Sequence, residues 1–173
     1  MQVYQIALKP LTQENFAPYG QLFEIQTGDG ASCITERFNF WPKLATFQCA
    51  RGEVQIGIST FLKRPLRLAT MERHLCSEEI MIPLTGGVII PFARQQGTDP
   101  AELPQACRAE AFLIPPAKGI VVHKNVWHWT PMPLEDQTSI ICMFETGTEQ
   151  TDVLIREFPQ DDLVEIQLEQ DRR

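Results

Sequence analysis

The chain has 173 residues, 43% of them apolar and 21% charged, with a formal net charge of −7 and a pI near 5.0. That length suits one globular domain spanning 1–173, able to bury a core without staples. The acidic balance argues against nucleic acid or an anionic membrane surface as partner, because both demand a basic face. It leaves room for a small anionic substrate in a locally positive pocket.

The N-terminal stretch MQVYQIALKPL lacks the basic start and apolar core of a signal peptide. No apolar run approaches the ~20 residues of a membrane span, so a cytoplasmic protein is expected. VYQIALKP (3–10) reads as a first strand. LTQENFAPYG (11–20) offers a turn or two of helix, with Thr12 as N-cap and Pro18 and Gly20 as stops. TGDGAS (27–32) reads as a loop.

Ten further strand candidates follow: CITERFNFW, LATFQCA, VQIGISTFL, LRLATMERH, EIMIPL, GVIIPFA, CRAEAFLIP, GIVVHKNVW, TSIICMFE and VLIREF. Turn residues separate them, which predicts an all-β sandwich or barrel with only minor short helices. PLTGGV (83–88) predicts a hairpin, since Gly86 and Gly87 tolerate positive φ. QQGTDPAELPQ (95–105) reads as a polar surface excursion, and the acidic end DDLVEIQLEQDRR as a tail that docks as strand or helix.

The five cysteines, Cys33, Cys49, Cys76, Cys107 and Cys142, are scattered and form no CxxC. Reduced thiols are expected, with Cys49, Cys107 and Cys142 as small core residues.

In LRLATMERH a period of two puts Leu66, Leu68, Thr70, Glu72 and His74 on one face and Arg67, Ala69, Met71 and Arg73 on the other. The first face starts apolar and ends ionisable, as a strand would in a barrel with a packed floor and a reactive mouth. The remaining two of the three histidines, His123 and His128, both fall in VVHKNVWHW (121–129).

These two segments resemble the paired motifs of cupin barrels. The first cupin motif has the form G(x)5HxH(x)3–4E(x)6G, and this chain offers Glu72, His74, Glu79 and Gly86 in that spacing, with glutamate in place of the first histidine. The second motif fits in two registers, one ending on His128 and one on His123. The expected fold is a cupin-type double-stranded β-helix, or jelly-roll barrel. Imidazoles and carboxylates converging from separate strands would accept a divalent ion such as nickel, zinc, manganese or iron. A metal-free site with histidine as acid or base is the alternative.

A closer resemblance is carried by LKPLTQENFAPYGQLFE, by MERH followed by IPLTG, by HKNVWH followed by a proline, and by the late GTEQTD. In order and spacing over most of the chain, these resemble the ureidoglycolate lyase family. The family commonly has glutamine where Glu79 stands, a second histidine where Trp129 stands, and Tyr-His where this chain has Val122-His123.

The resemblance implies a lyase that releases urea from ureidoglycolate to leave glyoxylate, late in purine-nitrogen recovery, without nucleotide or redox cofactor, and as a homodimer. It implies His74, Glu79 and His128 as metal ligands or their metal-free remnant, and Glu72, His74, His123 and His128 as catalytic groups. Arg73, Lys124 and Trp129 stand as substrate contacts, although strand parity turns Arg73 away from Glu72 and His74. Asn125 suits a tight turn at positive φ, and Trp127 and Trp129 suit wall packing. The rival functions are another metal-dependent cupin enzyme, isomerase or dioxygenase, on a small acid, and a non-catalytic small-molecule binder.

Overall fold

Frequent Pro and Gly, with β-branched and aromatic residues between them, leave little room for helix and favour short strands. The computed structural model describes all residues except 25–30, 32, 51, 96, 98 and 169–173. In chain order the strands are β1 (Val3–Lys9), β2 (Gly20–Glu24), β3 (Cys33–Ile34), β4 (Asn39–Phe40), β5 (Val54–Leu62), β6 (Arg67–Leu68), β7 (Thr70–Arg73) and β8 (Glu79–Pro83). They continue with β9 (Val88–Ala93), β10 (Ala109–Ile114), β11 (Lys118–Val122), β12 (Trp127–His128), β13 (Met132–Pro133), β14 (Gln137–Glu145), β15 (Leu154–Glu157) and β16 (Leu163–Gln167). Two four-residue helices interrupt them, α1 (Gln13–Phe16) and α2 (Thr148–Thr151). Thr12 caps α1 as expected, its hydroxyl accepting from the Asn15 amide at 3.1 Å.

A nine-stranded sheet runs β15-β7-β12-β9-β10-β1-β16-β6, with β13 also on β9, and a five-stranded sheet runs β2-β11-β8-β14-β5. The two curl over one another with their inner faces packed together. The inward core is supplied by Val88, Ile90 and Phe92 of β9, Phe112 and Ile114 of β10, and Met81, Ile120, Val122, Ile140 and Cys142 of the smaller sheet. Phe16 and Tyr19 plug its side. The rings of Phe16 and Phe92 meet edge to face at 5.3 Å, and those of Phe16 and Phe112 at 5.6 Å.

The larger sheet is also covered on its outer face, where Leu68, Met71, Ile89, Trp127, Phe158, Val164 and Ile166 form a second core. All six residues of β9 are therefore buried, which removes any polar alternation from its sequence. Burying each large apolar side chain contributes roughly 1.5–3 kcal/mol.

Several expectations need correcting. PLTGGV is not a hairpin: β8 pairs with β11 and β14, whereas β9 pairs with β10, β12 and β13. The segment is a corner between the two sheets, and a Cβ at Gly86 would meet the Thr138 hydroxyl at 2.8 Å. CITERFNFW splits into a two-stranded hairpin, β3 with β4. LATFQCA forms no strand and lies as a strap held by side chains.

LRLATMERH breaks at Ala69, whose carbonyl accepts from the Phe158 amide at 2.9 Å. The break shifts the parity, so Leu68 joins Met71 in the outer core instead of sharing a face with Glu72 and His74. Cys107 is exposed and Cys49 half-buried, leaving Cys142 as the buried thiol of the three. The C-terminal segment docks as β16, parallel to β1. Most of the loop expected at 27–32 lies outside the described residues.

β2 can lie against β11 only because residue 20 lacks a side chain. A Cβ at Gly20 would collide with the backbone carbonyl of Val121 on the paired strand. Gly20→Ala is expected to destabilise the protein by about 1–3 kcal/mol or more, measured as a lowered midpoint in urea unfolding.

Candidate active site

Four ionisable side chains from both sheets meet at one end of the barrel. Register places His128 of β12 opposite Glu72 of β7 and opposite Phe92 of β9. Phe92 belongs to the inward core, so Glu72 and His128 share its face. His74 follows β7 on the same parity. Glu79 opens β8 in the other sheet, on the inward face with Met81 and Pro83.

The His74 and His128 ring centres lie 5.3 Å apart. Their Nε2 atoms stand 3.5 Å and 3.3 Å from the same oxygen, Glu79 Oε2, and Glu72 Oε1 lies 3.9 Å from His128 Nε2. One ligand atom each from His74, Glu79 and His128 fit within 4.8 Å of one another.

Both rings are fixed from behind. His74 Nδ1 donates to the Asp152 carbonyl at 2.8 Å, and His128 Nδ1 donates to the Val126 carbonyl at 3.0 Å. A carbonyl partner requires the proton on Nδ1, so each neutral ring presents the lone pair of Nε2 to the centre. His128 Nε2 is buried and makes no hydrogen bond. Two imidazole nitrogens held this way, with one carboxylate oxygen between them and a second carboxylate at the rim, suit a divalent cation of zinc, nickel or manganese type.

Without a cation the cluster holds protons instead. Burial pushes the Glu79 pKa up, but the facing rings of His128 and His74 outweigh it and bring the carboxyl down to about 2. Burial lowers the His74 pKa, but Glu79 outweighs it and brings the ring up to about 9. Burial, and next the Glu79 charge, push the Cys142 thiol up to about 12, so it is no thiolate ligand near neutrality.

The other sequence candidates lie elsewhere. Arg73 is fully buried on the opposite face, its guanidinium 4.3 Å over the Trp127 ring, donating to the Asp99 carbonyl at 2.7 Å and 3.6 Å from Glu102. Strand parity thus removes it from the substrate contacts proposed for it. Trp129 packs on the same outer core, so it too faces away from His128.

His123 also stands apart. It extends the parity of Val121, donates from Nδ1 to Glu78 Oε1 at 3.1 Å, and leaves 42% of its side chain exposed. Of the two cupin registers, the one ending on His128 reaches the cluster. Lys124 is half-buried beside it, and Asn125 takes the expected positive φ, at 66°.

Sequence reasoning missed Asp152 as a partner of His74, and Glu78 as the partner of His123. Among the described residues no helix is long and apolar enough to cross a membrane.

The family model for ureidoglycolate lyase matches residues 3–167. This chain belongs to the ureidoglycolate lyase family. A ureidoglycolate lyase of Pseudomonas paraeruginosa is 29% identical over 147 residues, covering 83% of this chain and 85% of the relative. One of Brucella abortus is 29% identical over 160 residues, covering 86% and 88%. Among solved structures, a dTDP sugar isomerase from Desulfovibrio desulfuricans aligns with a TM-score of 0.49 at 15% identity, over 83% of this chain and 87% of that one.

Two of this family member's own residues now have places. Glu79 lies at the centre of the cluster, whereas Trp129 lies on the far side of the sheet from it.

The two shifted groups set a stability window for the metal-free protein. Glu79, depressed from 4.5, contributes stability that is full above its unfolded value and lost as pH falls toward about 2. His74, raised from 6.5, contributes stability that is full below 6.5 and lost as pH rises through about 9. Urea unfolding in the presence of chelator is therefore expected to show a maximum between these limits, and His74→Gln is expected to flatten the alkaline limb.

Proposed function

We propose that this protein cleaves ureidoglycolate to glyoxylate and urea. The observation that carries the reading is the convergence of His74, His128 and Glu79 on one buried point with Glu72 beside it, in a chain that belongs to this family.

The substrate carbon bears a hydroxyl, a carboxylate and a urea nitrogen. The hydroxyl proton leaves, its electron pair forms the carbonyl, the C–N bond breaks, and the departing nitrogen takes a proton. Atoms balance with no oxidant or reductant.

A divalent cation held by His74, Glu79 and His128 would supply positive charge for the substrate's carboxylate and hydroxyl oxygens. Glu72 is the most exposed of the four groups, with 18% of its side chain accessible against 1% for His128. It is the base that takes the hydroxyl proton and the acid that returns it to the urea nitrogen. His123, facing out beside Glu78, is not needed for either step. Lys124 is the cation assigned to the carboxylate once Arg73 is withdrawn. The apolar wall of Phe92, Met81 and Cys142 keeps water from the proton in transit.

The reading extends to a second copy of the chain in a cytoplasmic homodimer. The outer face of the smaller sheet carries apolar rows, with Ile58, Ile141 and Ile82 in register across three strands and Ile56, Met143 and Ile80 beside them. Ile56 and Ile58 are 69% and 70% exposed on the edge strand β5. These apolar rows let two chains of net charge −7 meet away from most of their acidic groups.

Incubation with ureidoglycolate is expected to release glyoxylate and urea in equal amounts. Chelator should abolish the release, and Glu72→Gln should lower kcat roughly 10²–10⁴-fold. Binding without turnover, or oxygen consumption, contradicts the reading. Ile58→Glu is expected to convert a dimer to a monomer in sedimentation equilibrium; a monomeric parent protein contradicts the partner.

A further inference from the structure

The motif GTEQTD was singled out by resemblance, yet the reaction above uses none of it. Gly147 takes φ 84° and starts the single turn of α2, which ends on Asp152. β15 then pairs with β7, Leu154 opposite Arg73 and Ile155 opposite Glu72. Carried back along an antiparallel ladder, that register brings Asp152 against the residues that follow Arg73.

Four hydrogen bonds form there. The Asp152 carboxylate accepts from three consecutive backbone amides, Leu75 at 2.9 Å, Cys76 at 2.8 Å and Ser77 at 2.9 Å. Its own carbonyl accepts from His74 Nδ1 at 2.8 Å. Asp152 is itself buried. Such a row of amides around one anion is a nest, here filled from within the chain.

The bracketed loop matters because His74 stands at its start and Glu79 just beyond its end. The loop is tied down further by the Ser77 hydroxyl, which donates to the Glu78 carbonyl at 2.8 Å and accepts from the Glu145 amide at 3.1 Å.

We propose that Asp152 is the positioning residue of the candidate centre. Its carboxylate sets the course of residues 75–77, and so the distance between His74 and Glu79. Its carbonyl fixes the His74 ring so that Nε2 faces Glu79 and His128. The proposal rests on the reading of that cluster as the reactive centre, but not on which substrate it turns over.

The test compares the parent protein with Asp152→Ala, Asp152→Asn and, as control, Asp162→Asn, whose half-buried side chain accepts from the Gln2 amide far from the cluster. Three readouts need no turnover: amide hydrogen exchange at 75–77, the protonated nitrogen of the His74 ring in long-range ¹H–¹⁵N spectra of metal-free protein at alkaline pH, and zinc affinity per folded chain. Asp152→Ala is expected to speed exchange at 75–77, to mix the two ring tautomers, and to weaken zinc binding roughly 10–100-fold. Asp152→Asn should fall between, and Asp162→Asn should match the parent.

A merely structural role would lower the melting temperature while leaving tautomer and zinc affinity per folded chain unchanged, and that result overturns the proposal. If the parent binds no zinc, the ring signals and amide exchange decide alone. A parent that binds zinc but leaves ureidoglycolate intact sinks the lyase reading and leaves Asp152 to be judged on the same three readouts.

Discussion

Everything at the site depends on two imidazoles being held by their far nitrogens. Because His74 and His128 each donate Nδ1–H to a backbone carbonyl, their Nε2 atoms have one place to point, and Glu79 occupies it. A buried carboxylate between two buried rings is tolerable only if positive charge is present, as protons on the rings or as a cation among the three. The shifts of Glu79 downward and His74 upward express the first case. The buried Nε2 of His128, which makes no hydrogen bond, fits the second.

The sheets decide what can reach this point. β9 separates two apolar cores, and every residue that alternates across it or its neighbours belongs to one side or the other. Glu72 and His128 fall on the inner side, Arg73 and Trp127 on the outer. Arg73 next to His74 in sequence is thus far from it in function. Its charge is met by the Trp127 ring, the Asp99 carbonyl and Glu102, and burial lowers its pKa against the opposing effect of Glu102. The smaller sheet sorts its side chains in the same way, with Glu79 and Met81 inward and Ile80 and Ile82 toward the outer face.

Much of this was legible in the sequence because period-two alternation is local. The spacing of Glu72, His74 and Glu79 survives folding because the first two share a strand face and the third opens the next strand. The N-cap at Thr12, the positive φ at Asn125 and the wall packing of Trp127 follow from residue chemistry alone, whereas the outward turn of Trp129 overturns its expected substrate contact. What was not legible depends on contacts distant in sequence. No local pattern says that LTGG turns a corner between sheets instead of closing a hairpin. Nothing in LRLATMERH shows that Phe158 will claim the Ala69 carbonyl and break the strand. The choice between His123 and His128 needed the pairing of β12 with β7, and the part played by Asp152 needed the pairing of β15 with β7.

His74, Glu79 and His128 are placed so that they could hold one divalent ion between them. Titration of the metal-free protein with cobalt(II), followed by its visible absorption, tests it most directly. Saturation is expected at one equivalent per chain, with the signal lost in both His128→Ala and Glu79→Ala. Absence of binding in the parent protein, or a signal that survives both substitutions, would contradict it.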